Sequence, residues 1–345
     1  MRWEYDISSK RLLLFKRRTS SYEKKYYFIF SPSCHMAYYW VDSMKVLVTG
    51  RCIPQQPDRC TAQQLVEGFK QAGHEAIFYG NFYEEPYRFL GAKEAREEEF
   101  DLLIVTEMND GMSGYSSLFY HHNLKYIPRL YWDFDVSYHP EQSFKKAFGD
   151  SYHGYLVANK LFVDRFKERT PSPVLHLPYA CSPQIHRRKP EILKQFTIGF
   201  VGSITAEREK LLEKVRCVNG VFGEALIDET NQLYTMIHIN QDACRGLVPG
   251  RPWETAGCGT NLLMDRASYE DFKEFIPDFL DDSVQCFDSF EQLERMIKDV
   301  EFCHPNRLKE MRENGQRLME YMHANHSYKN RAETIISWCK DNEIL

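Results

Sequence analysis

Residues 250–265 run GRPWETAGCGTNLLMD and bring an arginine, a carboxylate and closely spaced glycines into one short segment. The segment reads as a loop, a short helix, a tight glycine turn and a buried strand. Pro252 suits the first helical position, where its missing N–H costs nothing. That predicts Glu254 in the first turn, beside free backbone N–H groups and the positive end of the helix dipole. Arg251 and Glu254 are then held together next to a ready-made anion site. The same spacing also fits a plain capped helix leading into a core strand, so the rest of the chain has to decide between the two.

A chain of 345 residues exceeds the roughly 250 that a single core usually reaches and predicts two domains. Its hydrophobic content of 43% and charged content of 27% are those of a soluble globular protein. A net charge of -5 argues against a broadly basic nucleic-acid or membrane surface, although a local basic groove stays open. The ten cysteines include no C-x-x-C pair and stand mostly in apolar surroundings. Reduced, buried thiols in a cytoplasmic protein without a metal site are the simplest account.

Residues 1–43 hold a basic run, Lys10 through Lys25, and an aromatic patch at Tyr26–Phe30 and Tyr38–Trp40. The patch is too short and interrupted to span a bilayer, and it lacks the apolar region and cleavage site of a signal peptide. The segment is expected to be an appendage, or the product of an upstream start codon, with Met44 opening the first domain strand.

From Met44 onward, strands alternate with helices. Strands are expected at Lys45–Val48, Glu75–Tyr79, Phe100–Thr106, Lys125–Trp132, Gly154–Ala158 and Val174–Pro178, with helices from Thr61 and at about 160–168. This is a doubly wound α/β domain over residues 44–190. Composition turns polar and basic at Pro183–Gln195, where Arg187, Arg188 and Lys189 read as a solvated linker face. A second α/β unit, residues 191–326, starts with the strand Phe196–Ser203. Its later strands are expected at Met236–Asn240 and Asn261–Met264. Helices at about 290–300, 305–323 and 327–341 close the chain.

Two α/β domains joined by a linker place a ligand cleft at the carboxyl ends of both sheets. Gly202 and Ser203 sit at one such end, where a glycine lets backbone approach a ligand and the next helix N-terminus can receive a phosphate. Arg208 follows within reach.

The order Phe200-Val201-Gly202-Ser203, Ile239-Asn240, Gly250-Arg251-Pro252-Trp253-Glu254, Gly257-Cys258-Gly259 and Ser327-Tyr328-Lys329-Asn330-Arg331 resembles the C-terminal half of the CgeB-type (spore-maturation) glycosyltransferases. These have the GT-B fold and are related to the retaining glycosyltransferase family four. The resemblance covers about residues 196–340; the N-terminal half shares only the general α/β pattern. It implies two Rossmann-like domains facing across a cleft, with the helix after Ser327 crossing back onto the N-terminal domain through Ile335, Ile336 and Trp338.

The resemblance also implies roles. Glu254 would accept hydrogen bonds from the ribose hydroxyls of a nucleotide-sugar donor, a UDP-sugar being expected. Gly202 and Ser203 would face the diphosphate, and Asn240 would border the site. The turn with Gly257 and Gly259 would let the helix pass close to the next strand. Arg208 and Arg251 would neutralise the departing diphosphate, where charge builds in the transition state. No cofactor and no metal are implied. Many family-four enzymes carry a second glutamate eight positions before the ribose-binding one, and Gly246 stands there in this chain.

The N-terminal domain is expected to supply the acceptor site, with Gly50 and Arg51 on a loop after the first strand. Asp133-Phe134-Asp135 could be read as a D-x-D metal site, but the motif order argues for GT-B. Asp133 is then either an acceptor-side catalytic group or a cap on the next loop. His121, His122 and His176 have no assigned partner. The acceptor, whether glycan, small molecule, protein or DNA, is not legible. A nucleotide-sugar-binding or epimerase-like protein and a DNA- or protein-modifying glycosyltransferase are the alternatives.

Overall fold

The computed structural model describes residues 2–7, 10–19, 22–27, 39–40, 43–52, 60–82, 89–91, 93–94, 98–106, 126–134, 136–137, 140–141, 143–144, 152–204, 208–209, 212, 215–221, 223–240, 245–301 and 304–345. Strands β1 (Arg2–Ile7), β2 (Lys10–Thr19), β3 (Tyr22–Tyr27) and β4 (Tyr39–Trp40) form an antiparallel sheet in that order, separate from the two larger sheets.

The first large sheet contains β5 (Lys45–Cys52), β6 (Glu75–Phe82), β7 (Phe89–Leu90), β8 (Leu102–Thr106), β9 (Arg129–Asp133), β10 (Gly154–Val157) and β11 (Val174–His176). Their spatial order is β11-β10-β9-β8-β5-β6-β7, and all neighbours run parallel except β6 and β7. A parallel sheet covered on both faces needs apolar residues at both phases of the pleat. Val46, Val48, Leu102, Ile104, Leu130 and Trp132 enter one core layer; Leu47, Leu103, Val105, Tyr131 and Val157 enter the other. Helix α1 (Thr61–Gln71) lays Leu65, Val66 and Phe69 on the first layer, and α2 (Val163–Lys167) lays Phe166 on the second.

The second sheet contains β12 (Phe196–Val201), β13 (Arg216–Val218), β14 (Leu233–His238), β15 (Asn261–Asp265) and β16 (Val284–Phe287). It is wholly parallel, in the order β13-β12-β14-β15-β16. One face meets α4 (Gly250–Gly257), α5 (Arg266–Lys273) and α7 (Pro305–Asn325), through Trp253, Phe272, Leu318 and Met322. The other meets α6 (Phe290–Glu301) through Leu293 and Ile297. Helix α3 (Gly223–Asn231) covers Met236 and Val201 through Leu226.

Strand β14 runs from Leu233, earlier than the expected Met236–Asn240, because the apolar run Leu233–Ile237 is buried throughout. The strands β13 and β16 and the helices α3 and α5 were not among the expected elements. In the 187–189 run Arg187 is exposed, as expected, but Lys189 is engaged. Lys189 is ion-paired with Glu224 and with Asp228 of α3, and Asn231 Oδ1 accepts from Lys189 N at 2.9 Å.

The last helix, α8 (Tyr328–Asp341), crosses back as expected. A reciprocal Ser327–Asn330 capping box starts it. Tyr328, Ile335, Ile336 and Cys339 join the core of the first sheet, and Trp338 packs against it. The chain passes between the two halves twice, and the crossings run side by side. Cys181 N donates to His326 O at 3.0 Å and Tyr328 N to Cys181 O at 3.1 Å. Arg331 fastens them: it is buried, donates to Pro178 O at 2.9 Å and Tyr179 O at 2.8 Å, and lies 5.4 Å from the Trp253 ring centroid. Burial lowers its pKa to about 10. Among the described residues no helix is long and apolar enough to cross a membrane.

Candidate functional site

In the second sheet, the strand order reverses between β12 and β14, so their carboxyl-end loops part there and leave a crevice. Gly202 and Ser203 leave β12 at this point; Ile239 and Asn240 leave β14. Arg208 spans the gap. Its Nη1 donates to Ser203 O at 2.8 Å and its Nη2 to Ile239 O at 2.6 Å, which fixes a cation at the switch point. Gly202 keeps its small size for the Phe200 ring, whose Cζ lies 3.2 Å from where a Cβ would stand. Asn240 serves its own loop: its N donates to Asp265 Oδ2 at 2.7 Å and its Nδ2 to Leu247 O at 3.2 Å.

Helix α4 begins two residues earlier than the spacing of Pro252 suggests. Pro249, extended at φ -65° and ψ 173°, is the N-cap, so Gly250 is the first helical residue. Pro252 falls third, a position still within the first turn that tolerates it. Glu254 is therefore fifth, one turn below the free N–H groups. Trp253, Thr255 and Ala256 are buried, which leaves Arg251 and Glu254 on the opposite face. Arg251 Nη1 and Glu254 Oε2 are 2.9 Å apart, with side chains 23% and 27% exposed. The carboxylate and the arginine do stand together, but as an ion pair along the helix.

His238 ends β14 and was not singled out by sequence reasoning. Its signal was a titratable residue closing an otherwise apolar strand. It is buried, and its Nε2 has no hydrogen-bond partner among the described residues. Burial, with Arg208 and Arg251 adding to it, pushes the imidazole pKa down to about 4, against the opposing pull of Asp265. Both guanidiniums thus act on one point at the carboxyl end of β14.

Gly257 and Gly259 lie at the far end of α4 and do not join this cluster. A Cβ on Gly257 would stand 2.9 Å from His186 Cβ and 3.0 Å from Cys181 Cβ. Gly259 has φ +73° and faces Gly315 of α7. Both let α4 pack tightly on the crossing segments and on α7. Gly246, at φ +77°, has no room for a side chain: a Cβ would meet Leu161 Cγ at 2.4 Å.

In the first sheet the reversal lies between β5 and β8. Gly50 is there, with Thr106 Oγ1 only 2.2 Å from a would-be Cβ. Thr106 Oγ1 donates to Thr49 O at 2.9 Å. Arg51 continues β5 as its seventh residue rather than opening a loop. Asp133 ends β9, is 1% exposed, and accepts from Val136 N at 2.7 Å through Oδ1. That is the loop-capping arrangement. His121, His122 and Asp135 lie outside the described residues. His176 Nε2 lies 3.3 Å from Ala158 O, and its ring centroid is 6.2 Å from that of Phe275 in the other half.

Comparison with known proteins bears on this arrangement. Residues 183–337 match the family described as "Glycosyl transferase-like". No curated protein matches the chain. The crystal structure of Anabaena HepE in complex with UDP and glucose is similar, with a TM-score of 0.55 at 10% identity, over 86% of this chain and 99% of that one. A glycosyltransferase from Rickettsia africae ESF-5 gives a TM-score of 0.53 at 11% identity, over 87% of this chain and 99% of that one. The fold is GT-B, two parallel-sheet α/β halves facing one another. Within that fold, residues 183–337 form the glycosyl transferase-like domain.

Proposed function

We propose that this chain moves a sugar from a nucleoside diphosphate donor, a UDP-sugar, to an acceptor hydroxyl, with retention and without a metal. The observation that carries the reading is the cluster at the second switch point. Arg208 is clamped between the ends of β12 and β14, Arg251 acts on the same His238, and Glu254 shares the Arg251 helix face. A diphosphate needs fixed cations, and a ribose diol needs a carboxylate acceptor. HepE, of the same fold, was solved with UDP and glucose.

In this reading Arg208, Arg251 and the amino end of α4 hold the diphosphate. As the bond from sugar to phosphate breaks, its electron pair stays on the phosphate oxygen and these cations stabilise it. A donor phosphate oxygen takes the proton of the acceptor hydroxyl. Gly50 and Arg51 border the acceptor side, and Asp133 shapes the acceptor-side turn through its cap on Val136.

The test is a thermal-shift and calorimetry screen of UDP-, GDP-, ADP- and TDP-sugars, followed by product analysis with broad acceptors. Stabilisation by one nucleotide class, with sugar transfer, is expected. Binding without transfer or donor hydrolysis would turn the reading into a nucleotide-sugar-binding protein. Absence of binding to any of them would overturn it.

A further inference from the structure

Away from the paired crossings, the two halves meet again at the rim of the cleft. The segment after β10, Ala158 to Leu161, faces the loop that leads from β14 to α4. Asn159 is fully buried; its Nδ2 donates to Ser137 Oγ at 2.5 Å and to Arg245 O at 2.9 Å, while its Oδ1 accepts from Leu161 N at 2.9 Å. Lys160 N donates to Gly246 O at 3.0 Å. Gly246 N donates to Asp271 Oδ2 at 2.8 Å, and Lys160 Nζ returns to Asp271 Oδ1 at 2.8 Å and to Glu274 Oε1 at 2.5 Å. These contacts close a ring from backbone to backbone to carboxylate to ammonium. A lone exposed ion pair contributes little. This one has backbone bonds on both sides, a buried asparagine beneath it and a glycine at φ +77°, where a side chain would be strained.

The ring sits where it can matter for transfer. Asn159 lies two residues beyond the carboxyl end of β10. Gly246 lies four residues before the first residue of α4, which carries Arg251 and Glu254. Whatever fixes Gly246 fixes the approach of α4 to the first half.

We infer that Asn159, Lys160, Gly246 and Asp271 form an interdomain latch, and that Lys160 is a positioning residue holding the donor-side loop against the acceptor-side sheet. The inference rests on the proposed transfer reaction for its kinetic consequence, but not for the latch itself. The latch contacts among the described residues are made by Asn159, Lys160, Gly246, Asp271 and Glu274 and their neighbours Ser137, Leu161 and Arg245. Breaking it should therefore leave nucleotide binding alone and slow the step that needs both halves aligned.

The experiment compares Lys160→Met, Lys160→Arg, Asp271→Asn and the Lys160→Met/Asp271→Asn double variant in the full chain. Amide hydrogen exchange of the peptide spanning 245–248 reads the latch directly, whether or not sugar transfer is found. Exchange there should quicken about tenfold or more in Lys160→Met and return toward wild type in Lys160→Arg. Transfer kcat should fall about tenfold while the UDP dissociation constant stays within about twofold. The double variant should be no slower than Asp271→Asn, since both changes break one ring. Unchanged exchange in Lys160→Met would overturn the latch. Loss of UDP affinity in step with kcat, or additive effects in the double variant, would overturn the positioning role. Faster exchange in a protein that transfers no sugar would support the latch and count against the proposed reaction.

Discussion

Arg251 and Glu254 form an ion pair of 2.9 Å along one face of α4. The pairing means that the carboxylate proposed to bind a ribose diol is already positioned by the arginine proposed to meet the phosphate. A ligand that takes one must share or release the other, so the two are best tested as a coupled pair.

Glu254→Ala should weaken UDP binding by about 1–3 kcal/mol, the cost of removing hydrogen bonds to a charged acceptor. Isothermal titration of UDP against the variant gives the number directly. An intact fold with unchanged UDP affinity would remove Glu254 from the site. Because the variant also releases Arg251, affinity for inorganic diphosphate should fall less than affinity for UDP.

Arg208→Ala should act on stability and on ligand binding together. The change leaves Ser203 O and Ile239 O without the guanidinium that now bridges them, at about 1–3 kcal/mol of stability. UDP affinity should drop further than uridine affinity if the lost cation faces the phosphates, as proposed. Arg208→Lys should recover little of the bridge, since an ammonium cannot present two parallel donors to two carbonyls. Equal losses for UDP and uridine would mark Arg208 as purely structural.

The sequence showed the doubly wound architecture clearly, because parallel strands buried on both faces leave long apolar runs such as Leu102–Val105. The return of α8 to the first half was expected from the family resemblance, which named Ile335, Ile336 and Trp338 as its contact. The start of α4 was misjudged by two residues because Pro249 and Pro252 both suit a helix beginning, and only backbone geometry chooses between them. His238 was hidden because an imidazole within an apolar strand looks like a core residue until its neighbours, Arg208 and Arg251, are brought to it from distant parts of the chain. The ring of Lys160, Gly246 and Asp271 was invisible for the same reason. Its members are far apart in sequence, and Gly246 stood out only as the position of the absent family-four glutamate.

Gly68→Ala should loosen the crossover helix. A Cβ on Gly68 would lie 2.3 Å from Tyr328 O and 2.5 Å from Tyr328 C, both backbone atoms that cannot swing aside. Helix α1 and the start of α8 would have to separate, at about 1–3 kcal/mol for an overpacked contact. Thermal unfolding measures the loss. A transition unchanged from wild type would show that the two helices can part without cost.

Stability should decline as pH falls from about 6.5 toward 4, and His238 and His326 should carry part of that decline. Burial is the leading cause in both, and it lowers each imidazole to about 4. Arg208 and Arg251 deepen the shift at His238 against Asp265; Arg331 deepens it at His326. The sign follows from proton uptake. An unfolded imidazole with its ordinary pKa of about 6.5 binds a proton on acidification through that value, whereas the folded one stays neutral until about pH 4. Acid therefore favours the unfolded chain within that window, and the native advantage is fully present only above it. Removing one titrating group by His238→Asn should flatten the slope of unfolding free energy against pH between 6.5 and 4, whatever its effect at pH 8. Denaturant unfolding at half-unit pH steps supplies both curves. Parallel curves for wild type and variant would mean that His238 takes up its proton in the folded state as readily as in the unfolded one, and so is not held neutral by its burial.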